Sequence, residues 1–170
     1  ISAIVDVTNY VMYCLNRSMH AYDASCIDGP INIDFAKNGE RFTSLNDVEY
    51  DLSDDILTVR DDKNILAIAG VIGSKGSSCE IDTKDVILES AFFDKDVVAN
   101  SGRKLNILSD SRYRFERGVD YQTCLLGIEY ATSLILDICG GSVSDVREVK
   151  SADFDGSLKI VDFDLRKVKK

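Results

Sequence analysis

The chain has 170 residues, of which 45% are hydrophobic and 29% charged, and its net charge is −9. That length suits one domain, able to bury roughly 70% of the surface its unfolded form exposes. The acidic balance argues against holding nucleic acid by bulk electrostatics, though not against a local basic patch, and no apolar run approaches the roughly 20 residues of a membrane span.

Ile1 is no initiator Met and no signal-peptide layout follows it, so an internal start within a longer protein is expected. Ser2 is placed to cap a helix to about Tyr13, with Ile4, Val7, Val11 and Leu15 on one stripe. Asp28-Gly29-Pro30 reads as a turn. Ile31 to Ala36 alternates apolar and polar, which predicts a strand with one wet face. Another turn at Lys37–Glu40 leads to a hairpin from Phe42 to Tyr50, with Asn46-Asp47 at its tip. Ile56–Arg60 is a short strand, and Asp61–Asn64 turns the chain back. The unbroken apolar run Ile65–Ile72 predicts a buried central strand.

Gly73–Ser78 reads as a flexible loop, and Val86–Phe93 as a second buried strand with Glu89 set inside it. Asp94 is placed to cap a short helix carrying Val97, Val98 and Arg103. The clearest helix starts at Asp120, with Cys124, Leu125, Ile128, Ala131, Leu134, Ile135 and Ile138 at helical spacing, and ends at Gly140-Gly141. Composition changes at Ser151, and Ser157–Phe163 reads as the first strand of a following unit. Turn-linked strands with helices at both ends and one between favour an α+β class, with mostly antiparallel or mixed sheets, over a doubly wound parallel sheet. No Gly-x-Gly-x-x-Gly or Walker-type loop follows any strand, so no nucleotide site is expected.

Five cysteines, Cys14, Cys26, Cys79, Cys124 and Cys139, form no Cys-x-x-Cys pair and are odd in number. Buried free thiols in a reducing cytoplasm are expected, with neither disulfide framework nor zinc site. The densest basic run, Arg103, Lys104, Arg112, Arg114 and Arg117, is where an RNA contact would fall. Ser109–Asp120 mixes charged and aromatic side chains in a way a plain surface loop does not need, and predicts a fixed polar constellation.

His20, the single histidine, is the side chain best suited to moving protons near neutral pH; a plain surface or core imidazole is the alternative. Thr8 and Asn9 bring hydrogen-bonding groups into an apolar helix, either for a ligand or for local backbone bonding. Glu89 sits among apolar residues. It either faces water, pairs with an arginine such as Arg114 or Arg117, or waits buried for a ligand hydroxyl. Ala69-Gly70 lets another group approach closely or simply packs against a neighbouring strand. No Ser-His-Asp or Cys-His spacing supports nucleophilic catalysis.

Five ordered blocks resemble the B3/B4 domain of the bacterial phenylalanyl-tRNA synthetase β subunit. They are Ile4–Met12, Met19–Asp23, Leu66–Gly73, Val86–Phe93 and Ser109–Asp120. The resemblance implies a layered α+β domain over 1–150, with 151–170 as a linker and the entry to a following domain. In that family the domain hydrolyses tyrosine mischarged onto tRNA(Phe). By matched position, Thr8 and Asn9 would lie near the aminoacyl group and His20 by the ester. Ala69 and Gly70 would form the wall against the ring, Glu89 would bind the para-hydroxyl, and Ser109 and Ser111 would take the places of a family Thr and Ala. Arg103, Lys104 and Arg112 are the expected RNA contacts.

Departures are Ser18-Met19 for Pro-Leu and Gly73-Ser74 for Gly-Gly. The resemblance further implies no metal or cofactor in this stretch, with ATP and magnesium handled elsewhere in a cytoplasmic assembly. The implied partners are an α subunit and the tyrosine-bearing 3′ end of tRNA(Phe). A non-catalytic scaffold or RNA-binding module of the same synthetase is the alternative.

Overall fold

Local sequence signals start the elements much as the physics of caps and turns requires. The computed structural model describes residues 2–157 and 161–168. Ser2 accepts from the Val5 amide and opens α1 (Ala3–Leu15), which ends at Asn16 in the left-handed region. Among the described residues eight strands follow: β1 (His20–Asp23), β2 (Asn32–Phe35), β3 (Arg41–Thr43), β4 (Glu49–Asp51), β5 (Leu57–Arg60), β6 (Ile65–Ile68), β7 (Ile72–Gly73) and β8 (Val86–Glu89). Asp94 caps α2 (Lys95–Lys104) through the Asp96 and Val97 amides, and Ser109 caps α3 (Asp110–Phe115) through the Arg112 amide. The long helix α4 (Thr123–Cys139) closes at Gly140.

Every strand pairing is antiparallel, and helices pack on the sheets, as the α+β class requires. One sheet runs β2-β5-β6-β7, a hairpin joins β3 to β4, and a separate ladder joins β1 to β8. In that ladder His20 lies opposite Glu89 and Tyr22 opposite Ile87.

Several sequence expectations need correction. The run Ile65–Ile72 is two strands around a buried turn. The Val71 amide bonds to the Ile68 carbonyl, and Gly70 takes φ +68. A Cβ at Gly70 would also fall 3.0 Å from Val98 Cγ2, so the turn is open only to glycine. Gly73–Ser78 is packed and regular: Ser74 caps a 3-10 turn at Lys75–Ser77, and Ser77 is buried. The second apolar strand ends at Glu89 and is only partly buried. Both faces of β2, an edge strand of its sheet, are exposed. The long helix begins at Thr123; within it Gly127 and Ala131 are enclosed, while Leu125 and Ile138 are exposed. The thiols are free but none is buried, and Cys14, Cys26 and Cys139 are exposed. Of the strand expected at 157–163, residues 158–160 lie outside the described residues and 161–163 have no regular structure.

Candidate functional site

The β1–β8 ladder, the turn at Gly70 and α3 meet around a cavity of about 220 Å³. His20 and Glu89 share one face of the ladder, since directly opposed residues of an antiparallel pair project to the same side. Gly70 and Val71 also line the cavity, with Phe93 and Phe115 providing apolar surface. No lysine, arginine or second carboxylate is among the lining residues.

Glu89 meets neither Arg114 nor Arg117, which pair instead with Asp110 and Glu116. Its partner is internal: the Tyr22 hydroxyl donates to Glu89 Oε2 at 2.5 Å. Burial raises the Glu89 carboxyl above the usual carboxylate range, and the Tyr22 bond opposes that rise. Burial and the neighbouring carboxylate raise the Tyr22 phenol, so it stays a donor.

The His20 ring stands edge-on to Tyr22, with centroids 4.5 Å apart. Its Nε2 is shut off from solvent and, like the hydroxyl of neighbouring Ser18, has no partner among the described residues. Burial pushes the imidazole down to about 4, leaving it neutral at pH 7. Gly73 makes room for it, because a Cβ there would sit 2.7 Å from Nε2. Two orphaned polar atoms beside a desolvated carboxyl are a constellation that a polar ligand could satisfy.

Two hydroxyls, from the cap and first turn of α3, fasten the turn at Gly70. Ser109 donates to the Val71 carbonyl at 2.6 Å, and Ser111 to the Gly70 carbonyl at 3.1 Å. Both residues line the cavity. Ala69 is buried but is not among the lining residues, and its amide bonds to the Leu57 carbonyl. Thr8 and Asn9 are not brought to the lining. The Thr8 hydroxyl donates to the Val5 carbonyl of its own helix, and Asn9 is exposed.

The expected basic patch is largely neutralised within the chain. Arg112 is held by Glu116 at 2.9 Å and by the Gly102 and Ile107 carbonyls. Lys104 pairs with Asp55, while Arg103 is exposed. A larger cleft of about 400 Å³ lies elsewhere, but its Arg60 and Lys63 are paired with Glu40 and Asp28. Among the described residues no group of three or more His, Cys, Asp or Glu is arranged to hold a metal ion.

Two residues escaped the sequence reading. Tyr22 could have been found from its place two residues after His20 on an alternating strand, which puts both on one face. Arg17 has no comparable signal. It is 0% exposed and donates to the Ala91 carbonyl at 2.8 Å, to the Thr123 hydroxyl and to the Asp120 carbonyl.

Relatives extend this picture. The chain is 49% identical over 170 residues to the phenylalanine–tRNA ligase beta subunit of Wolbachia sp. subsp. Brugia malayi, covering 100% of this chain and 21% of that protein. It is 41% identical over 170 residues to the beta subunit of the same ligase from Rhodopseudomonas palustris, with the same coverage, 100% and 21%. The chain thus spans about a fifth of the length of the curated relatives it matches. A crystal structure of an N-terminal fragment of the phenylalanyl-tRNA synthetase beta subunit from Pyrococcus horikoshii overlaps at a TM-score of 0.43. It is 17% identical, over 50% of this chain and 32% of that one, a likeness too slight to build on. Among the described residues no helix is long and apolar enough to cross a membrane. The profile of the B3/4 domain matches residues 1–140, so the antiparallel frame and its cavity are those of a member: this chain belongs to the B3/4 domain family.

Proposed function

We propose that this domain edits mischarged tRNA as part of a phenylalanine–tRNA ligase beta subunit, hydrolysing tyrosine from tRNA(Phe). The observation that carries the reading is the desolvated Glu89 facing His20 across the β1–β8 ladder over one cavity. Tyrosine and phenylalanine differ by one hydroxyl, which a hydrophobic synthesis pocket rejects by only about a hundredfold. A second pocket can instead require that hydroxyl. Tyrosine donates its phenol to Glu89, while phenylalanine leaves the carboxyl without a second donor and binds about ten- to a hundredfold more weakly.

Hydrolysis of an activated ester needs a positioned water more than a strong nucleophile. Water adds to the ester carbonyl carbon, the bond to the terminal ribose oxygen breaks, and that oxygen takes the proton. Neutral His20 offers Nε2 to the water or to the ribose, and Ser18 lines the same cavity. The ring of the amino acid lies against Gly70, Phe93 and Phe115. Aminoacylation with ATP and magnesium, the α subunit and most tRNA contacts belong to other parts of the proposed cytoplasmic assembly.

The test is deacylation of tyrosyl-tRNA(Phe) by the assembled synthetase carrying Glu89→Ala or His20→Ala. Each substitution lowers the rate tenfold or more, on the scale of one charge-assisted hydrogen bond. Unchanged rates in both overturn the reading in favour of a non-catalytic scaffold.

A further inference from the structure

We propose that Tyr22 is the positioning residue of this cavity: it holds one oxygen of Glu89, aims the other at a ligand phenol, and braces the His20 ring. This rests on the editing reading above.

Tyr22 is 1% exposed, so its phenol must find a partner inside the protein. It finds Glu89 Oε2 at 2.5 Å, and it is the sole hydrogen-bond partner of that carboxyl among the described residues. An ionised carboxylate only accepts, through two oxygens. With Oε2 engaged by a phenol of the chain, Oε1 remains for a phenol of the ligand. The two bonds are chemically alike, so the internal pair is a template for the external one. A carboxylate on a flexible stem would otherwise sample several rotamers, and fixing it beforehand removes an ordering cost from binding.

The same ring does a second task. Tyr22 lies two residues from His20 on one face of β1 and meets the imidazole at an interplanar angle of 69°. Gly73 also lies close against that imidazole. One buried side chain therefore orients both groups on which discrimination and ester hydrolysis depend. The titratable groups lining the cavity are His20, Tyr22 and Glu89 alone, so no other charge confuses the readout.

The experiment compares wild type, Tyr22→Phe and Glu89→Gln in the assembled synthetase, with tRNA(Phe) charged with tyrosine or with phenylalanine. Tyr22→Phe raises KM for the tyrosyl ester about tenfold while kcat stays within about twofold, the pattern of a lost ground-state contact. The phenylalanyl ester is unaffected. The Glu89 carboxyl, followed by carbon NMR, titrates at higher pH in Tyr22→Phe, because a hydrogen bond favouring the charged form is gone. Replacing Tyr22 by 3,5-difluorotyrosine, a stronger donor of the same shape, moves that midpoint down and serves if Tyr22→Phe folds poorly.

Tyr22 variants that move neither KM nor the Glu89 midpoint overturn the proposal and leave editing standing, provided Glu89→Gln is impaired. A wild type inactive on tyrosyl-tRNA(Phe) overturns editing instead, and the NMR midpoint then decides by itself whether Tyr22 sets Glu89.

Discussion

Fifteen buried residues, from Tyr22 through Ile56 and Ile68 to Phe115, make the large core, whereas the cluster between α1 and α4 has only three, Val7, Val11 and Ala131. Both regions are rich in apolar residues, yet the second leaves Leu125 at 54% exposed. The large core fixes its parts by close packing, and the cavity rests on it. The helical layer is fastened by a polar device, Arg17, whose guanidinium ties the end of α1 to Ala91 and to the start of α4. Desolvation lowers the Arg17 pKa, and the nearby Asp120 works against that. Its fork is matched by two carbonyls and a hydroxyl rather than by a bonded carboxylate. A layer with little apolar burial thus depends on one side chain more than the core depends on any of its members.

That contrast can be broken from either side. Arg17→Met removes the charge-assisted bonds to the Ala91 and Asp120 carbonyls and to the Thr123 hydroxyl, leaves the Ala91 carbonyl without its donor, and costs about 4 kcal/mol in urea unfolding. Hydrogen exchange quickens in α4 before β6; equal loosening of both would contradict the fastening role. Ile68→Ala, at a fully enclosed position, costs about 3 kcal/mol and loosens β5 and β6 first. Gly127→Ala sharpens the comparison, since its Cβ would lie 2.7 Å from Arg17 Cγ and 3.3 Å from Ser90 Oγ. We expect about 2 kcal/mol, with the loss confined to the helical layer. At the other extreme, Leu125→Ala changes stability by no more than about 0.5 kcal/mol. A large effect there would mean that this face of α4 is more enclosed than its exposure indicates.

A pH series separates the cavity from both. His20 titrates at about 4 in the fold against 6.5 for a free imidazole. The unfolded chain therefore binds more protons in that window, and stability is lost as pH falls through it. Glu89 has the opposite sign: its raised carboxyl favours the fold at low pH, and that contribution is lost as pH rises. His20→Gln removes the first slope and keeps the second. An unchanged profile between pH 4 and 6.5 would show that the imidazole is solvated.

Much of the frame was legible because caps and polar turns are local. Ser2 and Asp94 announced their helices, and Asn46-Asp47 announced the β3–β4 hairpin. The break at Gly70 was hidden because a buried turn needs no polar residues, so the apolar run continues through it. Helix α3 was hidden too: at six residues it is too short for a periodic stripe, and its cap, Ser109, also reads as a ligand contact. Within the candidate site, His20, Glu89, Gly70, Ser109 and Ser111 come together, because each stands on an element whose register the ladder or the turn dictates. Thr8 and Asn9 do not, since α1 turns Thr8 onto its own backbone and Asn9 outward. Partner choice was the illegible part. That Glu89 would meet Tyr22 and not an arginine depends on long-range register, which no short window contains.

The rim at Gly70 and Val71 is a bend of the β6–β7 hairpin itself, sewn to α3 by two serine hydroxyls. Insertions, the usual currency of evolutionary drift in binding sites, cannot be accepted there without tearing the interior. Change in this cavity is therefore channelled into small edits of the serines and into the freer wall around Leu45, so the range of ligands it can come to accept is narrow and stepwise.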